Sequence, residues 1–278
     1  MHPHHHAQTQ ADKPAYIMAG SGEVVTYGQL DARSNQGAQL LRSLGLTTGD
    51  VIAILMENNA RFFEIAWAAQ RAGLYYVCIS TKLTAAETQY ILEDCGAKLF
   101  ITSAVMGPLI DEIAALVPGL SLYAVGGAHG PYADFEAARA AMPDTPIADE
   151  SAGSDMLYSS GTTGRPKGVK HPLSDEPFGT NVSPLVMLGQ GLYGFSPDMV
   201  YLSPAPLYHA APLRWSMAVQ QIGGTVVVMD RFDPEEALRL IERYRITHAQ
   251  WVPTHFVRML KLPEEVRGRY DMSSLKAV

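Results

Sequence analysis

Val51-Ile52-Ala53-Ile54-Leu55-Met56 is a continuous apolar run rich in β-branched residues. Such a run reads as a strand buried on both faces, which is a habit of parallel sheets. The flanking sequence alternates accordingly. Upstream, Thr26 and Gln29 have the spacing of a capping box, and Leu30, Ala38, Leu40, Leu41 and Leu44 form an apolar stripe. Together they predict a helix over 27–43, closed by Gly45 and Gly49-Asp50. Before it, 15–18 and 24–26 read as short strands around Gly20-Ser21-Gly22. Downstream the pattern predicts a helix over 60–72, a strand over 74–79, and a helix opened by Thr84 with Glu87 and ended by Gly96. A strand over 98–102, a helix over 110–116 and a strand over 120–125 follow. The second half predicts strands over 199–203, 225–229 and 248–252. A helix over 213–222 lies between the first two, and another starts at Asp233-Pro234-Glu235-Glu236. Strands separated by helices define an α/β fold of largely parallel sheets flanked by helices. The looser stretch 127–150 is the expected boundary between two packed lobes.

Composition narrows the function classes. Of 278 residues, 28 are Asp or Glu and 21 are Lys or Arg, giving a formal net charge of -7. That balance argues against non-specific nucleic-acid binding, which needs clustered positive charge. With 47% hydrophobic and 18% charged residues the chain is globular and long enough for a substantial core. Cys78 and Cys95 have no histidine near them and form neither a zinc pattern nor a disulfide framework, so reduced, buried thiols are expected. No apolar run reaches the roughly 18 residues of a membrane span. Met1-His2-Pro3-His4-His5-His6 lacks the basic and apolar regions of a secretory signal, and a cytoplasmic protein fits. The four histidines read as a solvated terminus, whether tag remnant or natural tail. At the other end, Ser274-Leu275-Lys276-Ala277-Val278 reads as the beginning of a strand. This suggests a fragment, with a terminal edge strand as the alternative.

The segment Met156-Leu157-Tyr158-Ser159-Ser160-Gly161-Thr162-Thr163-Gly164-Arg165-Pro166-Lys167-Gly168-Val169 stands apart. An apolar lead runs into a turn rich in hydroxyls and glycines. Glycines let backbone N–H groups approach an anion, and Ser and Thr hydroxyls add donors to phosphate oxygens or ligands to Mg²⁺. Arg165, Lys167 and Lys170 place three cations beside that turn in an acidic chain. A polyphosphate suits such a loop. It is no Walker A motif, because Gly168 follows Lys167, and the dinucleotide fingerprint is absent.

The segment 156–167 resembles the signature of the adenylate-forming superfamily, which contains acyl-CoA synthetases, firefly luciferase and peptide-synthetase adenylation domains, and it satisfies every position. Val25-Thr26-Tyr27, Leu30-Asp31, Ser34-Asn35, 49–53, Asn58-Asn59 and Ala72-Gly73 are placed as in that family, so the resemblance covers essentially the whole chain. Ser203-Pro204-Ala205-Pro206-Leu207-Tyr208-His209 is similar to its second signature, in which a histidine after an aromatic residue borders the acyl pocket. Taken alone, His209 would be an ordinary loop histidine. Where family members often carry glycine, three residues after this histidine, the chain has Pro212. Trp251-Val252-Pro253-Thr254-His255 corresponds to a segment flanking the same pocket, although Trp251 also reads as core and His255 as a helix residue.

The resemblance implies part of the large N-terminal domain of an AMP-forming acyl-CoA synthetase, without the small C-terminal domain. It implies that Ser159, Ser160, Gly161, Thr162, Thr163, Gly164 and Lys167 hold the phosphates of ATP. His209 would be the catalytic residue orienting the acid, and Trp251 and Thr254 would join it in the substrate pocket. Ala210 and Ala211 suggest room for a fatty or other bulky apolar acid. Implied partners are that small-molecule carboxylic acid, ATP and coenzyme A, with a homodimer as an assembly to be tested. No residue cluster has metal-ligand spacing, so Mg²⁺ would arrive with ATP. Aryl-CoA ligases, amino-acid adenylation domains, luciferase-like enzymes and non-catalytic nucleotide-binding or structural modules remain as alternatives. The family's adenine, ribose and metal motifs and its catalytic lysine would fall after Val278. The 278-residue chain alone is thus expected to be inactive, and measurable thioester formation by it would overturn that expectation.

Overall fold

β-branched and aromatic runs become parallel strands in a computed structural model that describes residues 2–159, 166–180 and 182–278, with the backbone alone at Ser159. In chain order the elements are α1 (His4–Thr9), β1 (Pro14–Met18), β2 (Val24–Thr26), α2 (Tyr27–Ser43), β3 (Val51–Leu55), α3 (Arg61–Arg71), β4 (Tyr75–Cys78), α4 (Ala85–Asp94), β5 (Ala97–Ser103), α5 (Pro108–Leu116), β6 (Ser121–Val125), β7 (Ala133–Asp134) and α6 (Phe135–Ala140). There follow β8 (Ser154–Asp155), β9 (Leu157–Ser159), β10 (Lys167–Val169), α7 (Pro184–Tyr193), β11 (Val200–Ser203), α8 (Ala210–Ile222), β12 (Thr225–Val228), α9 (Pro234–Tyr244), β13 (His248–Ala249), α10 (Pro253–Leu260) and α11 (Glu264–Arg267).

The chain forms two units. One comprises 1–30, 58–60 and 182–278, the other 31–57 and 61–181. The stretch 127–150, expected as the lobe boundary, lies wholly inside the second unit. Its β7 and α6 extend the sheet and pack on it, which a linker would not do.

In the first unit the sheet order is β13-β11-β12-β1-β2, parallel except for β1 with β2. Ile17, Leu202, Val227 and Met229 meet Ala237, Leu240 and Ile241 of α9, whose start is capped by Asp233 accepting from the Glu236 N–H at 2.9 Å. The predicted strand over 248–252 shrinks to His248–Ala249, and the chain end contributes a single parallel bridge from Ala277 to His248. The histidine-rich start, read as a solvated terminus, is instead packed. His2 is buried, and the His6 ring lies 5.2 Å from Tyr27 with Nε2 2.8 Å from the Gln221 carbonyl oxygen. Gly223 makes room for it, since a Cβ there would come within 2.8 Å of the imidazole.

The second unit carries a sheet of order β7-β6-β5-β3-β4-β8, in which every pairing is parallel. β3 is buried along its whole length, as its apolar run requires. Ala53, Leu55, Val77 and Phe100 pack with Ile91 and Leu92 of α4 and Ile110 and Ile113 of α5. Thr84 and Glu87 close a reciprocal capping box on α4. α3 buries one carboxylate, Glu64, and surrounds it with Arg33 at 2.9 Å, Arg61 at 3.5 Å and Arg139. A charge without solvent needs such partners, and taking it away leaves theirs uncompensated. Glu64→Leu should therefore lower unfolding free energy by about 3–5 kcal/mol, read from the urea midpoint. An unchanged midpoint would show that the cluster contributes nothing.

Candidate functional site

β9 and β10 form an antiparallel hairpin with Lys167 opposite Ser159, Gly168 opposite Tyr158 and Val169 opposite Leu157. The predicted phosphate-binding residues Ser160, Gly161, Thr162, Thr163 and Gly164, with Arg165, lie outside the described residues, as does the Ser159 side chain. Lys167 is exposed on β10. A Cβ at Gly168 would meet Met156 Cε at 2.4 Å and the Tyr158 ring at 2.8 Å, so glycine lets the tyrosine lie flat on the opposite strand. Lys170, one of the three cations read beside the turn, sits 4.4 Å above the Tyr75 ring centroid. The Tyr75 hydroxyl in turn donates to the His171 carbonyl at 2.6 Å.

Two side chains of α4 reach this hairpin. Tyr158 donates its hydroxyl hydrogen to Asp94 Oδ2 at 2.5 Å, and the Tyr90 hydroxyl donates to the Pro166 carbonyl at 3.2 Å. Burial and the neighbouring carboxylate push the Tyr158 phenol above its usual range, which keeps it a donor. Neither Tyr90 nor Asp94 carried a signal of its own in the sequence.

In the first unit, His209 occupies the N-cap of α8 with extended backbone. Its ring is exposed on one side and lies 4.6 Å from the Tyr208 ring, and partial desolvation lowers its pKa below the ordinary histidine value. Pro212, the departure from the signature, is buried in the first helical turn, where its missing N–H costs no helical bond. The approach to His209 is fixed by Asn58. Its carboxamide donates to the carbonyls of Ala205 at 3.1 Å and Met229 at 2.8 Å and accepts from the Leu207 N–H at 2.7 Å. The sequence placed Asn58 only by resemblance. Its position just past a buried strand was the available hint.

Trp251 lines a cavity of about 210 Å³ together with Tyr193, Phe195, Tyr201, Trp215 and His248. The Phe195 ring is met edge-on by Trp215 at 5.5 Å and His248 at 5.1 Å. Burial lowers the His248 pKa, and its Nε2 lies 2.8 Å from the Tyr193 carbonyl, so a neutral imidazole donates there. Neither His209 nor Thr254 lines this cavity, and Thr254 is exposed on the first turn of α10. His255 is on that helix, stacked 4.0 Å from Phe232. Trp215 was not singled out in the sequence, since a tryptophan inside a helical stripe reads as core.

Largely parallel sheets flanked by helices place the chain among the α/β proteins. It belongs to the AMP-binding enzyme family, whose model matches residues 3–278. The chain is 33% identical over 261 residues to the long-chain-fatty-acid–CoA ligase FadD13 of Mycobacterium tuberculosis, covering 90% of this chain and 48% of that protein. It is 31% identical over 279 residues to the fatty acid–acyl-carrier-protein ligase ScoC of Streptomyces coeruleorubidus, covering 98% and 50%. Among solved structures, the inhibitor-bound N-terminal domain of FACL13 from Mycobacterium tuberculosis superposes with a TM-score of 0.82 at 27% identity, over 98% of this chain and 67% of that one. The chain spans about half the length of the curated relatives it matches.

Asn58→Ala would leave two carbonyls and one N–H near His209 without their partner. A loss of about 2–4 kcal/mol is expected in chemical denaturation. Asn58→Asp should rescue little, because a carboxylate cannot donate to the carbonyls of Ala205 and Met229.

Proposed function

We propose that the protein activates a carboxylic acid with ATP and passes the acyl group to coenzyme A. The observation that carries this reading is the complete signature over 156–167 set on a hairpin, with Lys167 exposed beside it. In the first step a carboxylate oxygen attacks the α-phosphorus, the bond to the bridging oxygen breaks, and acyl adenylate and pyrophosphate form. In the second, the coenzyme A thiolate attacks the acyl carbonyl and AMP departs. Both steps depend on positioning and charge stabilisation more than on a protein nucleophile. Burial holds the Cys95 thiol up to about 11, so it is protonated and inert at neutral pH.

Ser159, Ser160, Gly161, Thr162, Thr163, Gly164 and Lys167 would hold the β- and γ-phosphates, with Mg²⁺ entering on the nucleotide. His209 would orient the acid, its imidazole being neutral at pH 7 by virtue of its lowered pKa. The aromatic cavity beside Trp251 would take the apolar part of the acid, with Thr254 outside its lining. The relatives' names, a long-chain-fatty-acid ligase and a fatty acid–carrier-protein ligase, support a fatty acid. A second reading, a compact ring-bearing acid, is favoured by the edge-on rings and by a volume of about 210 Å³, below the roughly 300 Å³ lower end of ligand sites. A cytoplasmic location is part of the proposal and is supported by the two unpaired thiols, Cys78 and Cys95.

Pyrophosphate exchange into ATP by the full-length protein, screened over fatty, aromatic, sterol side-chain and amino acids, tests the reading. Exchange with none of them would reject it. His209→Ala should lower kcat/KM about 10- to 100-fold, the worth of one hydrogen bond to a charged group. Wild-type activity should also fall on acidification, as His209 protonates, with this limb displaced to lower pH than an ordinary histidine would give, and it should vanish in the variant.

A further inference from the structure

The α4 edge bearing Tyr90 and Asp94 is otherwise hard to explain. Glu93 and Asp94 end a helix whose last turn has no basic residue, so two negative charges stand at the negative pole of the helix dipole. Asp94 is also solvent-exposed and closes no ion pair that would account for it among the described residues. What it does make is a short, charge-assisted hydrogen bond from Tyr158. One helical turn earlier, Tyr90 faces Asp94 Oδ1 at 3.5 Å and donates to Pro166. Tyr158 and Pro166 stand on opposite sides of residues 159–165, so one helix edge grips both strands of the hairpin where they enter and leave the signature segment.

We infer that the Tyr90–Asp94 edge of α4 positions the β9–β10 hairpin, and with it Lys167, for nucleotide binding. Asp94 fixes the leading strand through Tyr158, and Tyr90 fixes the returning strand through Pro166. Gly168 belongs to the same device, because a side chain there would displace the Tyr158 ring from the strand and its hydroxyl from Asp94. These are positioning residues: neither is assigned any contact with substrate. The inference rests on the phosphate-binding reading of the signature, but the grip itself can be measured independently.

The test uses the full-length protein with Tyr90→Phe, Asp94→Ala and Asp94→Asn. Amide hydrogen exchange at Tyr158, Lys167, Gly168 and Val169 should quicken roughly three- to tenfold in the first two variants, the fold-change expected for one lost hydrogen bond. Exchange in β12 should not change. KM for ATP should rise by a similar factor while KM for the acid stays put. Asp94→Asn should recover most of the loss, since its amide oxygen can still accept from Tyr158. Unaltered hairpin exchange would overturn the inference. So would a parallel rise in both KM values accompanied by a fall in Tm, which would mark the two residues as general scaffolding. If the wild-type protein activates no acid, the phosphate reading fails, and hairpin exchange still decides whether the α4 edge holds the hairpin.

Discussion

Backbone carbonyls stranded at the ends of buried strands must find donors in a dry interior, and much of this structure is arranged around that demand. Asn58 answers it for Met229 and Ala205, and Thr102 answers it for Leu55 with a 2.7 Å bond from its hydroxyl. Tyr16 donates to Ala60 and Tyr27 to Gly224, each at 2.6 Å. These donors are local within their own unit yet far apart in sequence. Most of them fix where the chain goes after it leaves a sheet, Tyr27 holding instead the entry to β12, and in α/β proteins such exits are where ligand-binding loops arise.

Charge is handled by the same rule of partnership. Glu64 is buried because three arginines face it, and Arg71, fully buried, reaches Asp31 at 2.8 Å. Beside the signature segment Lys167 and Lys170 are both exposed, and Lys170 lies over the face of Tyr75. A net charge of -7 thus coexists with a hairpin that carries an exposed Lys167, while Asp94 accepts from Tyr158.

What the sequence made legible were features encoded within a few residues. The apolar run of β3, the capping boxes at Thr26 and Thr84 and the proline start at Asp233-Pro234 each appear where periodicity and capping chemistry place them. Other features depend on partners distant in sequence. α1 forms from a histidine-rich start because His6 finds Gln221 and a glycine at 223, and no local pattern announces either. α7 was missed because its two glycines and exposed Met187 and Leu192 blur the helical stripe. The division between units was misplaced because it follows long-range pairing, with 58–60 grouped with the first unit although both flanking segments belong to the second.

Pro212 shows how far a departure from a signature can be judged once its surroundings are known. Where glycine would give the chain after the histidine conformational freedom, proline gives it rigidity, and in a strand or loop needing an N–H that exchange would be costly. At the third residue of α8, after a histidine N-cap with extended backbone, the position calls for a helical φ and has no intrahelical acceptor for an N–H. Proline meets both conditions, and the helical bond from the Leu213 N–H to the His209 carbonyl forms beyond it at 3.3 Å. Proline therefore stiffens the helical start beside His209 and leaves its helical hydrogen bond in place. Position 212 thus keeps the helical start at His209 intact, and the side chains lining the cavity, Trp215 among them, are set by other parts of the chain.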